Sequence, residues 1–142
     1  MNNIVFIENN NVTLNLVDDK LYLTILHYNF NNEDYLNVLQ KLESFFIISK
    51  KNNMRFYLII DISKTAMLRI KNIFDYVYKC TLFFKKHHIF IEQYLFGSII
   101  IMENKINKII FEYLLKFYKP IRPYKFIKNN SNINNILCDF KF

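Results

Sequence analysis

The chain has 142 residues, 52% of them apolar and 18% aromatic, and a formal net charge of +7 at pH 7. That supply of Phe, Tyr and Ile suits one α/β domain with its own core and excludes a disordered chain. No apolar run approaches the roughly 18 residues a membrane span needs. The amino terminus also lacks the basic-then-apolar order of a signal peptide, so the expected location is the cytoplasm.

Ile4 to Ile7 reads as a short strand turned by Asn9, Asn10 and Asn11. Val12, Leu14 and Leu16 alternate with Thr13 and Asn15, the period of a half-buried strand. Asp18 and Asp19 make the next turn. Leu21, Leu23 and Ile25 then supply the partner of a hairpin. Asn31 or Asn32 caps a helix with Glu33 and Asp34 in its first turn, where the helix dipole favours acids. Tyr35, Val38, Leu39, Leu42, Phe45 and Phe46 form its apolar stripe.

Phe56 to Ile60 is a continuous apolar run ending at Asp61, the pattern of a strand covered on both faces. A helix is predicted from about Met67 to Lys86, followed by a second buried strand from Leu95 to Met102. Ile106, Ile109, Ile110, Tyr113, Leu114 and Phe117 mark a third helix, stopped by Pro120. Tyr124 to Ile127 is a last short strand, and Ser131 is placed to cap a final helix through Ile136 and Leu137. The predicted order is β-β-β-α-β-α-β-α-β-α. It implies a mixed sheet with an opening hairpin, a largely parallel half and about four helices.

The chain holds 20 Asn, 22 Ile and 16 Lys against one Ala, one Gly and two Pro. Asn serves as the turn residue in place of Gly, because it tolerates the left-handed conformation. These are residues with AT-rich codons. Part of the positive charge therefore reflects an AT-rich genome, such as that of a large DNA virus or a protist. Cys80 and Cys138 lie far apart among Phe and Ile, which predicts two buried free thiols in a reducing compartment.

The segment Phe56–Ser63, FYLIIDIS, and the segment Phe117–Phe126, FYKPIRPYKF, carry a resemblance. With this element order, the chain is similar to the STAS domain, the SpoIIAA-like fold of anti-sigma factor antagonists and sulfate transporter tails. The resemblance implies a single SpoIIAA-like α/β domain acting as a non-enzymatic interaction module. In antagonists of that family a serine after an aspartate, at the start of the helix following the central strand, is phosphorylated to switch partner binding. This chain departs there: Leu68, Arg69, Ile70, Lys71 and Asn72 stand where the family has its serine and glycine. Ser63 and Thr65 are the nearby hydroxyls open to modification.

Enzyme signatures are missing from the pattern. His27, His87 and His88 have no Cys or acid at ligand spacing, and His87 and His88 read as a solvated pair in a polar break. Gly97 is the only glycine, so no phosphate-cradling loop exists and no cofactor is expected. Inside a strand, Gly97 implies close backbone packing or a bulge. Asp61 stands at a strand end where α/β folds place ligands. Lys105, Lys108, Glu112, Lys116 and Lys119 share one helix face, with Glu112 and Lys116 at pairing distance. Tyr22, Tyr28, Tyr57, Tyr76 and Tyr78 exceed what a core needs, and Tyr22 is placed to mark a docking edge.

The surfaces expected to bind a partner are thus Asp61, Ser63, Lys64, Thr65 and Arg69 at one loop, and Lys105, Lys108 and Lys116 on the third helix. A protein partner is expected, with a second copy of the chain as one form of it. The alternative is a basic domain contacting nucleic acid or an anionic membrane. No metal site is expected.

Overall fold

The structure, a computed structural model, describes residues 3–27, 30–64, 70–117, 119–129 and 132–140, without the side chains of 70–74, 76, 77, 107, 110, 114 and 117. Eleven elements follow one another: β1 (Asn3–Glu8), β2 (Val12–Val17), β3 (Lys20–Ile25), α1 (Asn32–Lys51), β4 (Phe56–Asp61), α2 (Ile70–Lys86), α3 (His88–Tyr94), β5 (Leu95–Ile101), α4 (Lys105–Phe117), β6 (Tyr124–Ile127) and α5 (Ile133–Leu137). The expected order holds, with one short helix added. The start predicted for α2 at Met67, and Ser131 as a cap, lie outside the described residues; the N-cap position of α5 is Asn132.

Local chemistry accounts for the turns. The Asn9 side chain accepts from the backbone N–H groups of Asn11 and Val12, closing the turn between β1 and β2. Asp18 and Asn53 take positive φ, 56° and 49°, the conformation short polar side chains tolerate best after glycine. Asn31 and Asp34 form a capping box that starts α1.

The six strands form one sheet in chain order. β1, β2 and β3 pair antiparallel, and β3, β4, β5 and β6 pair parallel. Parallel crossovers are right-handed. When each new strand is added on the same side, every crossover helix therefore falls on the same face. The core agrees: Tyr35, Phe45 and Phe46 of α1, Phe83 of α2 and Ile91 of α3 share one cluster with Leu16, Leu21 and Leu58. The opposite face carries Ile59, Ile99 and Ile101, covered by Ile133, Leu137 and Phe140 of the carboxyl-terminal segment. β4 and β5 are thus covered on both sides, as their unbroken apolar runs imply.

Gly97 meets both of its expected reasons. A Cβ there would lie 2.6 Å from the Phe140 ring. The register between β4 and β5 also shifts beside it, pairing Phe56 with Leu95 and then Tyr57 with Gly97.

Candidate functional site

The loop after β4 is organised by Asp61. Its Oδ1 accepts from the Ser63 backbone N–H at 2.9 Å and from the Ser63 hydroxyl at 2.6 Å. The acid therefore closes a turn on itself, and Ser63 is engaged by it. Lys64 is exposed, while Thr65 and Arg69 lie outside the described residues. The ligand crevice of doubly wound folds arises where strand order reverses. Here the order never reverses, so Asp61 stands at a strand end without that crevice.

Asp61 pairs in register with Ile101, and the Ile62 N–H donates to the Ile101 carbonyl at 2.9 Å. α4 begins four residues later, with Asn104 Oδ1 accepting from the Ile106 N–H. Lys105 therefore stands at the same end of the sheet as Asp61 and Ser63. Lys116 is about 16 Å further along the helix axis. The fold brings together Asp61, Ser63 and the start of the lysine face, and not the far end of that face.

At about 100° per residue, the exposed surface of α4 divides into two adjoining ridges. One holds Lys108, Glu112, Lys105 and Lys116. The other holds Ile109, Tyr113 and Ile106, which are 64%, 52% and 56% exposed. This apolar ridge is the feature sequence reasoning missed, because the helical spacing of Ile106, Ile109 and Tyr113 does not tell which side of α4 meets the sheet. Glu112 pairs with Lys108 at 3.7 Å rather than with the expected Lys116. Helix side chains lean toward the amino terminus, which carries the carboxylate over the preceding turn.

Several other expectations need correction. His87 is not in a solvated pair. Its ring packs against Phe83 at 4.7 Å and Phe46 at 5.4 Å, and its Nε2 lies 3.2 Å from Glu43 Oε1. Hydrogen bonds from His87 and then Lys86 hold the Glu43 carboxyl below its ordinary range. The acid comes from α1, remote in sequence, so spacing held no trace of it. Cys138 is exposed, just past α5, and Cys80 is half-buried. Tyr22 lies in β3, between β2 and β4, and marks no edge. It and Tyr57 pack against the α5 side of the sheet. Tyr78 is exposed as expected. Tyr28 and the Tyr76 side chain lie outside the described residues. Among the described residues no group of three His, Cys, Asp or Glu is placed to hold a metal, and no helix is long and apolar enough to cross a membrane.

Between the sheet and α1, α2 and α4 lies a cavity of about 180 Å³. Leu58, Ile60 and Ile100 form its floor, and Phe84, Phe111 and Leu115 lie on the helix side. Tyr35 and Cys80 meet in its wall, the Tyr35 hydroxyl donating to Sγ at 3.4 Å. Burial pushes the Tyr35 hydroxyl well above its ordinary pKa and raises that of the Cys80 thiol.

Compared with protein-family models, curated proteins and solved structures, the chain matches none.

Proposed function

We propose that the chain is a non-enzymatic binding module, a STAS-like adaptor that docks an acidic protein partner on the outer face of α4. The observation that carries this reading is the pair of adjoining ridges. Ile106, Ile109 and Tyr113 leave apolar surface in water, which a partner would remove. Lys105, Lys108 and Lys116 stand beside them, suited to steering an acidic surface into register. The Asp61–Lys64 turn borders the Lys105 end and extends the surface. A second copy fits this face poorly, since its lysine ridge would meet another of the same sign.

The test is affinity purification from the native cell with the wild-type chain, Ile109→Asp and a Lys105→Glu, Lys116→Glu double variant. The expected outcome is a partner retained by wild type and lost at least tenfold from both variants, with their thermal unfolding unchanged. Equal retention by folded variants overturns the reading.

A second reading rests on the net charge of +7 and the same lysines: an anionic membrane or nucleic-acid surface. Phosphate contacts give affinity that falls steeply as salt rises. Binding of vesicles or nucleic acid that survives only at low salt, and is lost in the double variant, would favour it over a protein partner.

A further inference from the structure

The cavity beneath α2 and α4 is independent of the docking face, and its chemistry selects a ligand. Its walls are almost wholly hydrocarbon. Among the described residues, no buried side-chain nitrogen or oxygen lacks a hydrogen-bond partner. Water inside would therefore find few of the polar partners it needs, and an apolar guest that displaces it gains affinity.

The shape gives the guest a direction. The floor runs along the strands, from Leu95 and Ser98 near their amino ends to Ile62 at the carboxyl end of β4. At the amino end the lining includes Ile121 and Tyr124, which are 40% and 38% exposed, so the cavity meets solvent there. Arg122 stands in this opening. Its Nε donates to the Leu95 carbonyl at 2.9 Å and its Nη2 to the Phe96 carbonyl at 3.2 Å. These bonds hold its guanidinium at the mouth, the one charged side chain among the described lining residues.

We infer that the cavity binds a medium-chain fatty acid, its tail between the sheet and the helices and its carboxylate beside Arg122. A cavity slightly larger than one that holds benzene accommodates a tail of about six to eight carbons, with the remainder of the chain in the mouth. The fixed guanidinium favours a carboxylate over a neutral head by charge alone.

Calorimetry with decanoate and decanol on the full chain, below their aggregation limits, tests this. Saturable one-to-one decanoate binding is expected, with a raised unfolding temperature and at least fivefold weaker binding of decanol. Ile100→Phe and Ser98→Leu both project bulk into the space from the floor. Each is expected to weaken decanoate at least tenfold while its ligand-free unfolding temperature holds or rises. Either variant suffices if the other fails to fold. No saturable binding, or equal binding by a folded filled variant, overturns the site. Equal affinity for decanol and decanoate overturns the place given to the carboxylate.

Discussion

The helix-covered face of the sheet is packed in two ways. On the side of β1, α1 and α3, aromatic rings interlock. Phe45 meets Phe56 edge-on at 4.8 Å and Phe6 at 5.8 Å, while Phe46 lies 4.4 Å from Phe90. Under α2 and α4, the same sheet face floors a cavity, and the outer surface of α4 keeps apolar side chains in water. One half of the layer is packed with rings, and the other keeps a cavity between sheet and helices. On the proposed reading, binding leaves the fold intact, because the ring-packed half does not depend on a ligand.

The sharpest way to break the comparison is to truncate a ring on each side. Phe45 is fully buried, so Phe45→Ala is expected to cost about 3–5 kcal/mol through lost transfer energy and a new cavity. Phe84 is half-buried and already borders a void, so Phe84→Ala should cost only about 1–2 kcal/mol. Urea unfolding of both variants checks the ratio, and equal costs would mean that the two sides are packed alike.

The opposite face of the sheet supplies a control outside the comparison. Gly97→Ala drives a methyl group into the Phe140 ring and should cost about 1–3 kcal/mol by overpacking. A Phe140→Ala background should remove most of that increment, which a double-mutant cycle would measure. Persistence of the full cost without the ring would place the strain in the backbone instead.

The smallest effect concerns the two cysteines. Cys138 is exposed and should react with a thiol reagent at once, whereas the half-buried Cys80 should react more slowly. Burial raises the folded pKa of Cys80. Its contribution is therefore complete below the unfolded thiol value of about 8.5, and it is lost as pH rises from there toward the raised folded value. The loss can reach about 1.4 kcal/mol per pH unit. Unfolding midpoints at pH 8 and pH 10 should show the decline in wild type and a shallower one in Cys80→Ala. Parallel declines would mean that the thiol is open to solvent. Decanoate added during alkylation should slow the Cys80 reaction further, since the thiol lines the proposed site.

Patterning carried most of the fold. The alternation of Val12, Leu14 and Leu16 and the stripe from Tyr35 to Phe46 reflect a period imposed by one buried face, and the unbroken runs 56–60 and 95–102 reflect cover on both; each element stands where its pattern places it, β5 ending one residue earlier at Ile101. α3 escaped because seven residues make barely two turns, and its amino end has no side-chain cap. Phe90, Ile91 and Tyr94 did have helical spacing, but the apolar run beginning at Tyr94 masked it. The site was less legible. Ile106, Ile109 and Tyr113 have the composition of a buried stripe, and only the position of the sheet decides which side of α4 faces it. The Glu43–His87 pair, the Tyr35–Cys80 contact and the cavity all join residues remote in sequence. No local spacing registers such meetings.

The monotonic order of the strands bears on how the chain can form. Every strand pairs with the one made just before it, so no segment waits for a distant partner across an unfinished sheet. The opening strands pair across short turns, whereas each parallel pairing waits for the helix between its strands, which slows that half. As the polypeptide emerges during synthesis, each new strand meets the edge of one already made. The stretch ending at Phe140 covers the face that the crossover helices leave open, so the apolar middle strands stay exposed on that side until it docks.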